Sequence, residues 1–482
     1  AKFILELLDR IPQELYEKKP VLIVVRTRIL ISLTLFERAA KELKDAIPRM
    51  EAAPPGPEVH RVLQGCYITL GFIGFITSIN TADYGFAGLF EKAAAYVPLS
   101  AYVTRPPVSV ANICSYICRV YSHEKGETER YLDALAVIAP AAASVMGGCM
   151  KGLDDLARAE FAFFKGDSAE AEKHARTALL HAAEGMQYEI ENRALFYLLR
   201  IYLSRGDYDE MRRILEKMEA QLGQGYYINR FIHHDLNRGW FYLQTGNTAA
   251  LAPWLKNDFE ESDLNSMARG LEILVKAKYH FAEKHYPAAL AALENWTDDV
   301  GTPVLGKVET KALEAVCHYQ LRDRAGAFAA LEQAYTLAEP NGFTMPFTEL
   351  GRYMRTLAEA ALREKVPGLP PVWLEKTRSA AAAYAKKLYA AAALFGEPGA
   401  EQKRAEKRIP GTPTPLSRRE KEIFACLSRG LTRPETAAAL SLSVNTVKSN
   451  IRSVYNKLGA VNRADAIRVA ADAGILHENP GV

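Results

Sequence analysis

Apolar positions recur with a helical period over most of the chain, and short polar turns separate one periodic segment from the next. Segments that alternate apolar and polar residues with the period of two typical of a half-buried strand are scarce. The pattern therefore predicts an all-α protein. Residues 371–395, PVWLEKTRSAAAAYAKKLYAAAALF, predict one long Ala-rich helix near the end of this region.

One type of turn repeats at an interval of 40 residues. It is found at Gly126-Glu127, Gly166-Asp167, Gly206-Asp207 and Gly246-Asn247. Glycine adopts a positive φ without steric cost at the end of a helix, and a following Asp or Asn caps the next helix by accepting from its free N–H groups. Lys284 and Arg322 take the place of the glycine in two later copies, and Thr34 takes it in an early copy.

Repeated helix pairs predict a solenoid, because each pair has an apolar face that it cannot bury alone. The interval exceeds the roughly 34 residues of a tetratricopeptide (TPR) repeat. We therefore expect a TPR-like helical-repeat superhelix over residues 1–395. Its aromatic residues are expected to stack in the core, and they include Trp240, Trp254, Trp296, Tyr202, Tyr242 and Tyr279.

A linker and a basic terminal unit follow the repeats. Residues 396–415, GEPGAEQKRAEKRIPGTPTP, are rich in proline, glycine and charge, which predicts a flexible linker before a unit at residues 416–482. Residues 401–482 contain 14 Lys and Arg but only 8 Asp and Glu, although the net charge of the whole chain is +3. This surplus favours a polyanionic partner, although short basic segments are often only solvated.

Four helix starts are predicted in the terminal unit, at Ser417, Thr432, Ser443 and Asn462. The first two form capping boxes, because Glu420 and Glu435 follow three residues later. Gly430 and Gly459 stand where the first and third helices should end.

The third of these helices is amphipathic. Its apolar face is formed by Val447, Ile451, Val454 and Leu458. Its opposite face carries no acid and consists of Asn445, Ser449, Arg452 and Asn456, with Lys448 at the flank. Only residues 441–443 separate it from the second helix, a length that suits a helix-turn-helix whose second helix enters the major groove of DNA.

Residues 416–470 closely resemble the LuxR-type helix-turn-helix family, through the segments LSRREKEIF, GLTRPETAAALSLSVNTVKSNIRSVYNKLG and NRADAI. The resemblance implies a small four-helix domain that acts as a dimer on promoter DNA, with Glu420 in a structural role. It places DNA-facing positions at Lys448, Ser449 and Arg452, and the exposed face adds Asn445 as a base-reading candidate. Candidate phosphate contacts are Arg433, Ser443, Thr446, Asn450 and Lys457.

The body resembles the superhelical region of large ATP-dependent, MalT-like LuxR regulators. The segments that carry this resemblance are LELLDRIPQELYEKKPVLIVVRTRILISLTLFERAAKEL and GFTMPFTELGRYMRTLAEAA. It implies that the repeats sense a small-molecule or protein effector. It also implies that ATP would bind only in a module upstream of Ala1, where the chain starts without Met as a processed or truncated form would. No cofactor is expected in this chain.

Other chemistry is weakly indicated. GTPVLGKV (301–308) approaches a phosphate-loop pattern, but Val308 replaces the Ser or Thr that binds magnesium, so we interpret it as a loop between repeats. His233, His234, His280 and His285 lack partners at metal spacing, and no metal is expected. The six scattered cysteines show neither a zinc spacing nor a disulfide framework, which indicates a reducing cytosol. The apolar residues 62–79 are interpreted as a buried repeat helix rather than a membrane span.

These observations favour a cytoplasmic bacterial transcriptional regulator. Its repeats are expected to receive a signal and its terminal helix-turn-helix to bind DNA. The alternative is a protein-interaction scaffold with an accessory DNA-binding module, because repeat solenoids commonly bind partners on their concave faces. An enzyme is not expected, since no Ser/His/Asp, paired-carboxylate or Cys/His constellation stands out.

Overall fold

The computed structural model describes residues 2–33, 35–77, 85–96, 124–224, 230–256, 269–294, 304–396, 416–458 and 463–472. Every regular element within these ranges is helical, as the hydrophobic pattern predicts. The chain divides into two compact units, Ala1–Gly396 and Glu397–Val482. Of the predicted linker, only Gly396 lies within the described residues.

The first helices of the body form a small apolar core of their own. They are α1 (Lys2–Asp9), α2 (Gln13–Lys18), α3 (Val21–Ser32), α4 (Phe36–Glu51), α5 (Pro57–Thr77) and α6 (Ala87–Ala94). Leu30, Leu43 and Cys66 are fully buried in this core. Helix α5 contains residues 62–77 of the apolar stretch 62–79, and this described part is a largely buried helix, as expected. No helix in the described ranges has the length and apolar character that crossing a membrane requires.

The remaining helices of the body follow as packed neighbours. They are α7 (Glu127–Val145), α8 (Leu153–Lys165), α9 (Ser168–Glu184), α10 (Tyr188–Arg205), α11 (Tyr208–Ala220), α12 (Arg230–Thr245), α13 (Arg269–Ala282), α14 (Tyr286–Glu294), α15 (Val304–Gln320), α16 (Arg324–Ala338), α17 (Met345–Thr348), α18 (Gly351–Glu364) and α19 (Pro371–Phe395). Helix α19 has the predicted bounds. The loop interpretation of residues 301–308 is wrong from Val304 onwards, because α15 begins there and buries Val308 completely.

The turns between helices have the predicted left-handed backbone. The glycines at 126, 166, 206 and 246 have φ values of 85°, 92°, 85° and 74°. Lys284 and Arg322, which replace glycine in the later copies, have φ values of 63° and 67°. Side chains at these positions meet the steric cost that glycine avoids, so the architecture of the repeat overrides the local preference of the residue. Thr34 lies outside the described residues.

Capping after these turns is less uniform than predicted. The Asp167 carboxylate accepts from the Glu170 N–H group at 3.1 Å at the start of α9, and Asn247 caps only the short 3₁₀ helix Thr248–Ala250. Asp207 makes no such bond, which corrects the prediction for that copy. The first turn of α11 carries Asp209 and Glu210 instead, and negative charge there interacts favourably with the helix dipole.

The repeat aromatics lie in or beside the core, as predicted. Trp240 is fully buried and Tyr202 is 2% exposed, while Trp254, Tyr242 and Tyr279 pack against the core from half-buried positions. Trp296 lies outside the described residues.

A buried charge network crosses the body between distant helices. The Arg200 guanidinium on α10 donates to the Glu349 carboxylate at 2.6 Å and approaches Glu309 of α15 at 3.4 Å. The same guanidinium lies 4.9 Å from the ring centre of Trp240 and 4.8 Å from that of Phe163. All three charged side chains are buried, so the charge of each is compensated mainly by the others, and the Lys278 ammonium adds attraction to both carboxylates.

Hydrogen bonds join segments of the body that are far apart in the sequence. The Thr128 hydroxyl at the start of α7 donates to the side-chain carbonyl of Asn341 at 2.6 Å, across 213 residues of sequence. The Thr344 N–H group donates to the Phe164 carbonyl at 2.8 Å, and the Thr344 hydroxyl donates to the Lys165 carbonyl at 2.9 Å. The segment after the last repeat therefore contacts the end of α8, near the start of the described repeats.

Candidate nucleic-acid interface

The terminal unit contains four described helices that begin where the sequence predicts, although the predicted cap Asn462 and the predicted stop Gly459 lie outside the described residues. They are α20 (Arg418–Ser428), α21 (Arg433–Ala439), α22 (Val444–Leu458) and α23 (Arg463–Asp472). Both capping boxes are formed, Ser417 with Glu420 and Thr432 with Glu435. In the second box, hydrogen bonds from the Thr432 backbone and hydroxyl lower the pKa of the Glu435 carboxyl. Gly430 has a φ of 100° after α20, where the sequence predicts a helix end.

The predicted apolar face of α22 packs into the core of this unit. Val447 and Val454 are completely buried, and Ile451 and Leu458 are 4% and 6% exposed. They pack with Leu416, which precedes α20, and with apolar side chains of the other three helices, namely Ile423, Phe424, Leu427, Ala437, Ala466 and Ala470. The orientation of α22 is therefore fixed, and its other face is directed away from this core.

The turn that precedes α22 is one residue longer than predicted. Helix α21 ends at Ala439, and Leu440 leaves the helical conformation with a φ of −107° and a ψ of 8°. Ser441 has a φ of 52°, and the Leu442 N–H group donates back to the Ala437 carbonyl at 2.8 Å. Residues 440–443 thus form a tight connection that sets α22 against α21, as a helix-turn-helix requires.

The predicted base-reading residues all belong to α22. Among them, Lys448 has a described side chain, and it is exposed. The side chains of Asn445, Ser449 and Arg452 lie outside the described part of the structure. An ammonium group held outward on such a helix can donate hydrogen bonds to base edges or phosphate oxygens.

The predicted phosphate contacts have different surroundings. Arg433 is exposed at the first position of α21. The Ser443 hydroxyl accepts from the Thr446 N–H group at 3.0 Å, so it already caps α22, and it lies 2.8 Å from the Thr446 hydroxyl. The Asn450 side chain donates to the Thr446 carbonyl at 2.8 Å. Ser443 and Thr446 lie at the start of α22, where the free N–H groups of a helix favour an anion.

Lys457 is already bonded inside the unit. Its ammonium group donates to the Glu420 carboxylate at 2.5 Å, and the Ser453 hydroxyl donates to the same carboxylate at 2.6 Å. Burial alone would raise the pKa of the Glu420 carboxyl, but the bonds from Lys457, Ser453 and Ser417 outweigh burial and lower that pKa to about 2. Glu420 therefore joins the start of α20 to α22 as a buried anion, in keeping with its expected structural role.

Arg463, the first residue of α23, also links two helices of the unit. This contact was not predicted from the sequence. Its guanidinium donates to the Leu427 carbonyl at 2.5 Å and to the Leu431 carbonyl at 3.4 Å. Carbonyls at the end of a helix lack partners within that helix, so Arg463 satisfies groups at the end of α20. A basic residue at the start of one helix and a glycine stop in another are the signals that could have suggested this contact.

Metal chemistry receives no support within the described ranges. No group of three or more His, Cys, Asp or Glu side chains there has an arrangement that could hold a metal ion. His233 is buried, and burial lowers its pKa to about 3, so this ring is neutral and belongs to the core as predicted.

Comparison with known families matches two stretches of the chain. Residues 149–364 match the MalT-like TPR region, and residues 414–470 match the luxR family of bacterial regulatory proteins. Both resemblances drawn from the sequence are thereby confirmed.

Individual relatives are similar over part of their length. The chain is 26% identical over 315 residues to the HTH-type transcriptional regulator MalT of Cronobacter sakazakii, and 25% identical over 316 residues to that of Klebsiella pneumoniae (strain 342). Each alignment covers 62% of this chain and 34% of the relative. The chain thus spans about a third of the length of these curated relatives.

Proposed function

We propose that this chain, which combines a MalT-like TPR region with a helix-turn-helix domain of the LuxR family, regulates transcription by binding double-stranded promoter DNA through α22. The two-sided character of α22 carries the proposal. Val447 and Val454 anchor the helix in the core of its unit, while Lys448 between them is exposed. An anchored helix with an outward cation after a tight turn suits insertion into the major groove.

We propose that each of the two units has its own role. Lys448, Ser449, Arg452 and Asn445 are proposed to face the bases. Arg433, Ser443, Thr446 and Asn450 are proposed to contact phosphates, and Lys457 would add a phosphate contact from beside Glu420. The repeat body is proposed to receive a small-molecule or protein effector, and the DNA-bound form is proposed to be a dimer. This role is not enzymatic, requires no cofactor in the two units and belongs in the bacterial cytoplasm, where the DNA is.

Titration of a fluorescently labelled duplex with the whole chain tests the DNA-binding step. We expect binding at low ionic strength, with an affinity that falls linearly with salt on logarithmic axes as counterions are released. A protein that ignores duplex DNA at low ionic strength would overturn the proposal.

A second candidate is the protein-interaction scaffold. The observation that favours it is a set of exposed apolar side chains on α1 and α3, including Phe3, Leu7, Val21 and Val25, at 70%, 47%, 40% and 43% exposure. Removal of residues 396–482 separates the two functions. The scaffold predicts unchanged capture of a protein partner and no change at promoters, whereas the regulator loses its promoter effect.

A further inference from the structure

One large apolar side chain of the terminal unit is directed into solvent. Among the described residues of this unit, Val444 alone combines a large apolar side chain with high exposure, at 46%. Leu442 and Tyr455 are half-buried and pack against the core of the unit. Single exposed apolar side chains are common on protein surfaces, so the position of Val444 in the fold decides what its exposure means.

Val444 is the first residue of α22, and the backbone around it is held on both sides. The Thr446 N–H group donates to the Ser443 hydroxyl at 3.0 Å, and the Val447 N–H group donates to the Ser443 carbonyl at 3.0 Å. A side chain that is branched at Cβ has one strongly preferred rotamer in a helix. The two methyl groups of Val444 are therefore presented at a fixed place and have little conformational freedom to lose on binding.

This place is next to the exposed lysine of the same helix. Lys448 follows Val444 by four residues, so the two side chains lie on the same side of α22, about 6 Å apart along its axis. In helix-turn-helix proteins the first turns of the second helix contact base edges. Base pairs follow one another every 3.4 Å or so, which places Val444 within about two base-pair steps of the group that Lys448 contacts.

The chemistry of the major groove gives an apolar side chain one favourable partner. The C5-methyl group of thymine is the apolar group that base edges present there, whereas the other groups are hydrogen-bond acceptors and amino donors. A valine placed against such polar groups would remove their water without replacing its hydrogen bonds. Val444 therefore favours a base pair whose thymine methyl group faces it.

We propose that Val444 contacts the C5-methyl group of a thymine in the major groove and so contributes to the sequence preference of this chain. The inference rests on the proposed DNA-binding function of α22. Val444 is absent from the base-reading candidates identified in the sequence, because those residues were chosen for their polar or basic side chains. Its contribution adds an apolar contact to the hydrogen bonds proposed for Lys448.

Removal of a single methyl group from the DNA tests this contact. Duplexes that the whole chain selects from a random pool supply the test sequences, and we expect thymine to be enriched at one or more positions. Each selected thymine is replaced in turn by deoxyuridine, which lacks only the C5-methyl group. One replacement should weaken binding by the wild type about four-fold, the factor that corresponds to one buried methyl-sized group, as measured by fluorescence anisotropy. Val444→Ala should bind the thymine and deoxyuridine duplexes equally well.

Matched variants and salt separate this contact from other effects. Val444→Ile keeps a branched apolar side chain and should retain the four-fold difference. Lys421→Ala, at an exposed position of α20, should retain it as well. An apolar contact releases no counterions, so the ratio of the two affinities should stay constant as salt is raised, while both affinities fall.

Failure of this inference can be distinguished from failure of the proposed function. If the wild type binds duplexes but tolerates every deoxyuridine replacement, or selects no thymine, the role of Val444 is overturned and DNA binding stands. If Val444→Ala retains the four-fold difference, another side chain contacts the methyl group and the inference is again wrong. If the whole chain binds no duplex at low ionic strength, the proposed function and this inference both fail.

Discussion

The Lys457 ammonium group bonds the Glu420 carboxylate and so joins the end of α22 to the start of α20. Glu420 is 5% exposed and also accepts from the Ser417 N–H group at 2.7 Å. The contact restrains the helix proposed to enter DNA at its flank, between its apolar face and its exposed face. This buried carboxylate therefore adds a polar restraint to the apolar packing that fixes the helix.

Glu420→Gln should destabilise the terminal unit by about 2–3 kcal/mol, because it removes the charge from a buried ion pair and weakens three hydrogen bonds. Thermal unfolding followed by circular dichroism measures this loss. The control is Glu422→Gln, which affects a partly exposed pair with Arg419 and should cost at most about 1 kcal/mol. Equal losses in the two variants would contradict a special role for Glu420.

The same carboxylate predicts a dependence of stability on acid. Its pKa is about 2 in the folded unit and about 4.5 when unfolded, so its contribution is complete above pH 4.5 and is lost as the pH falls towards 2. The contribution is at most about 3 kcal/mol. Urea unfolding at pH 6 should give the wild type a higher free energy of unfolding than Glu420→Gln. At pH 3 this difference in free energy should be smaller. If the difference in free energy of unfolding is the same at pH 3 as at pH 6, the low pKa of Glu420 is disproved.

Lys448→Ala should reduce the affinity for a specific duplex by about 1–3 kcal/mol if Lys448 reads bases, and the same loss is expected for Arg452→Ala. Anisotropy titrations with promoter DNA and with random duplex of equal length measure both affinities. Lys421→Ala, at an exposed position of α20, serves as the matched control. An equal loss on random DNA would show that the side chain contacts only phosphate.

Arg200→Leu should destabilise the body by about 3–5 kcal/mol, because Glu309 and Glu349 would stay buried after losing the guanidinium that bonds them and would keep only the more distant charge of Lys278. Denaturant unfolding gives the change in free energy. Arg213→Leu breaks an exposed pair with Glu210 and should cost no more than about 1 kcal/mol. A small effect at Arg200 would mean that the carboxylates find other partners.

Arg322→Gly should stabilise the body by about 0.5–1 kcal/mol, because glycine adopts the observed φ of 67° without the clash of a side chain. The substitution also increases the backbone entropy of the unfolded chain, which limits the gain. Arg355→Gly, at an exposed position inside α18, should instead cost about 1 kcal/mol. If both substitutions reduce stability, the contacts of the Arg322 side chain stabilise the body by more than its positive φ destabilises it.

Local features of the fold could be predicted because their causes are local. Proline before an Ala-rich run and Gly396 after it gave both ends of α19, and the Ser417 and Thr432 capping boxes gave the starts of two helices in the terminal unit. The left-handed turn at Arg322 was predicted from its place in the repeat, although its own side chain disfavours that conformation. In these cases, the fold depends on spacing that can be read along one segment.

Contacts between distant segments could not be predicted in the same way. Nothing near Thr128 indicates that it bonds Asn341, and the partners of Arg200 depend on how helices cross rather than on their periods. In the terminal unit, the exposed position of Lys448 follows from the helical period, but the bond from Lys457 to Glu420 required the three-dimensional arrangement. The sequence identified the charged residues of the site. It could not show which of them would contact DNA and which would bond groups of the protein itself.

The bond between Thr128 and Asn341 limits how this body can evolve. An open solenoid gains or loses helix pairs at little cost, since each repeat touches only its neighbours. Here, one extra helix pair between these residues would displace residue 341 from residue 128 and break their contact. This contact therefore constrains the number of helix pairs between residues 128 and 341, and that part of the chain should diverge by substitution rather than by duplication of repeats.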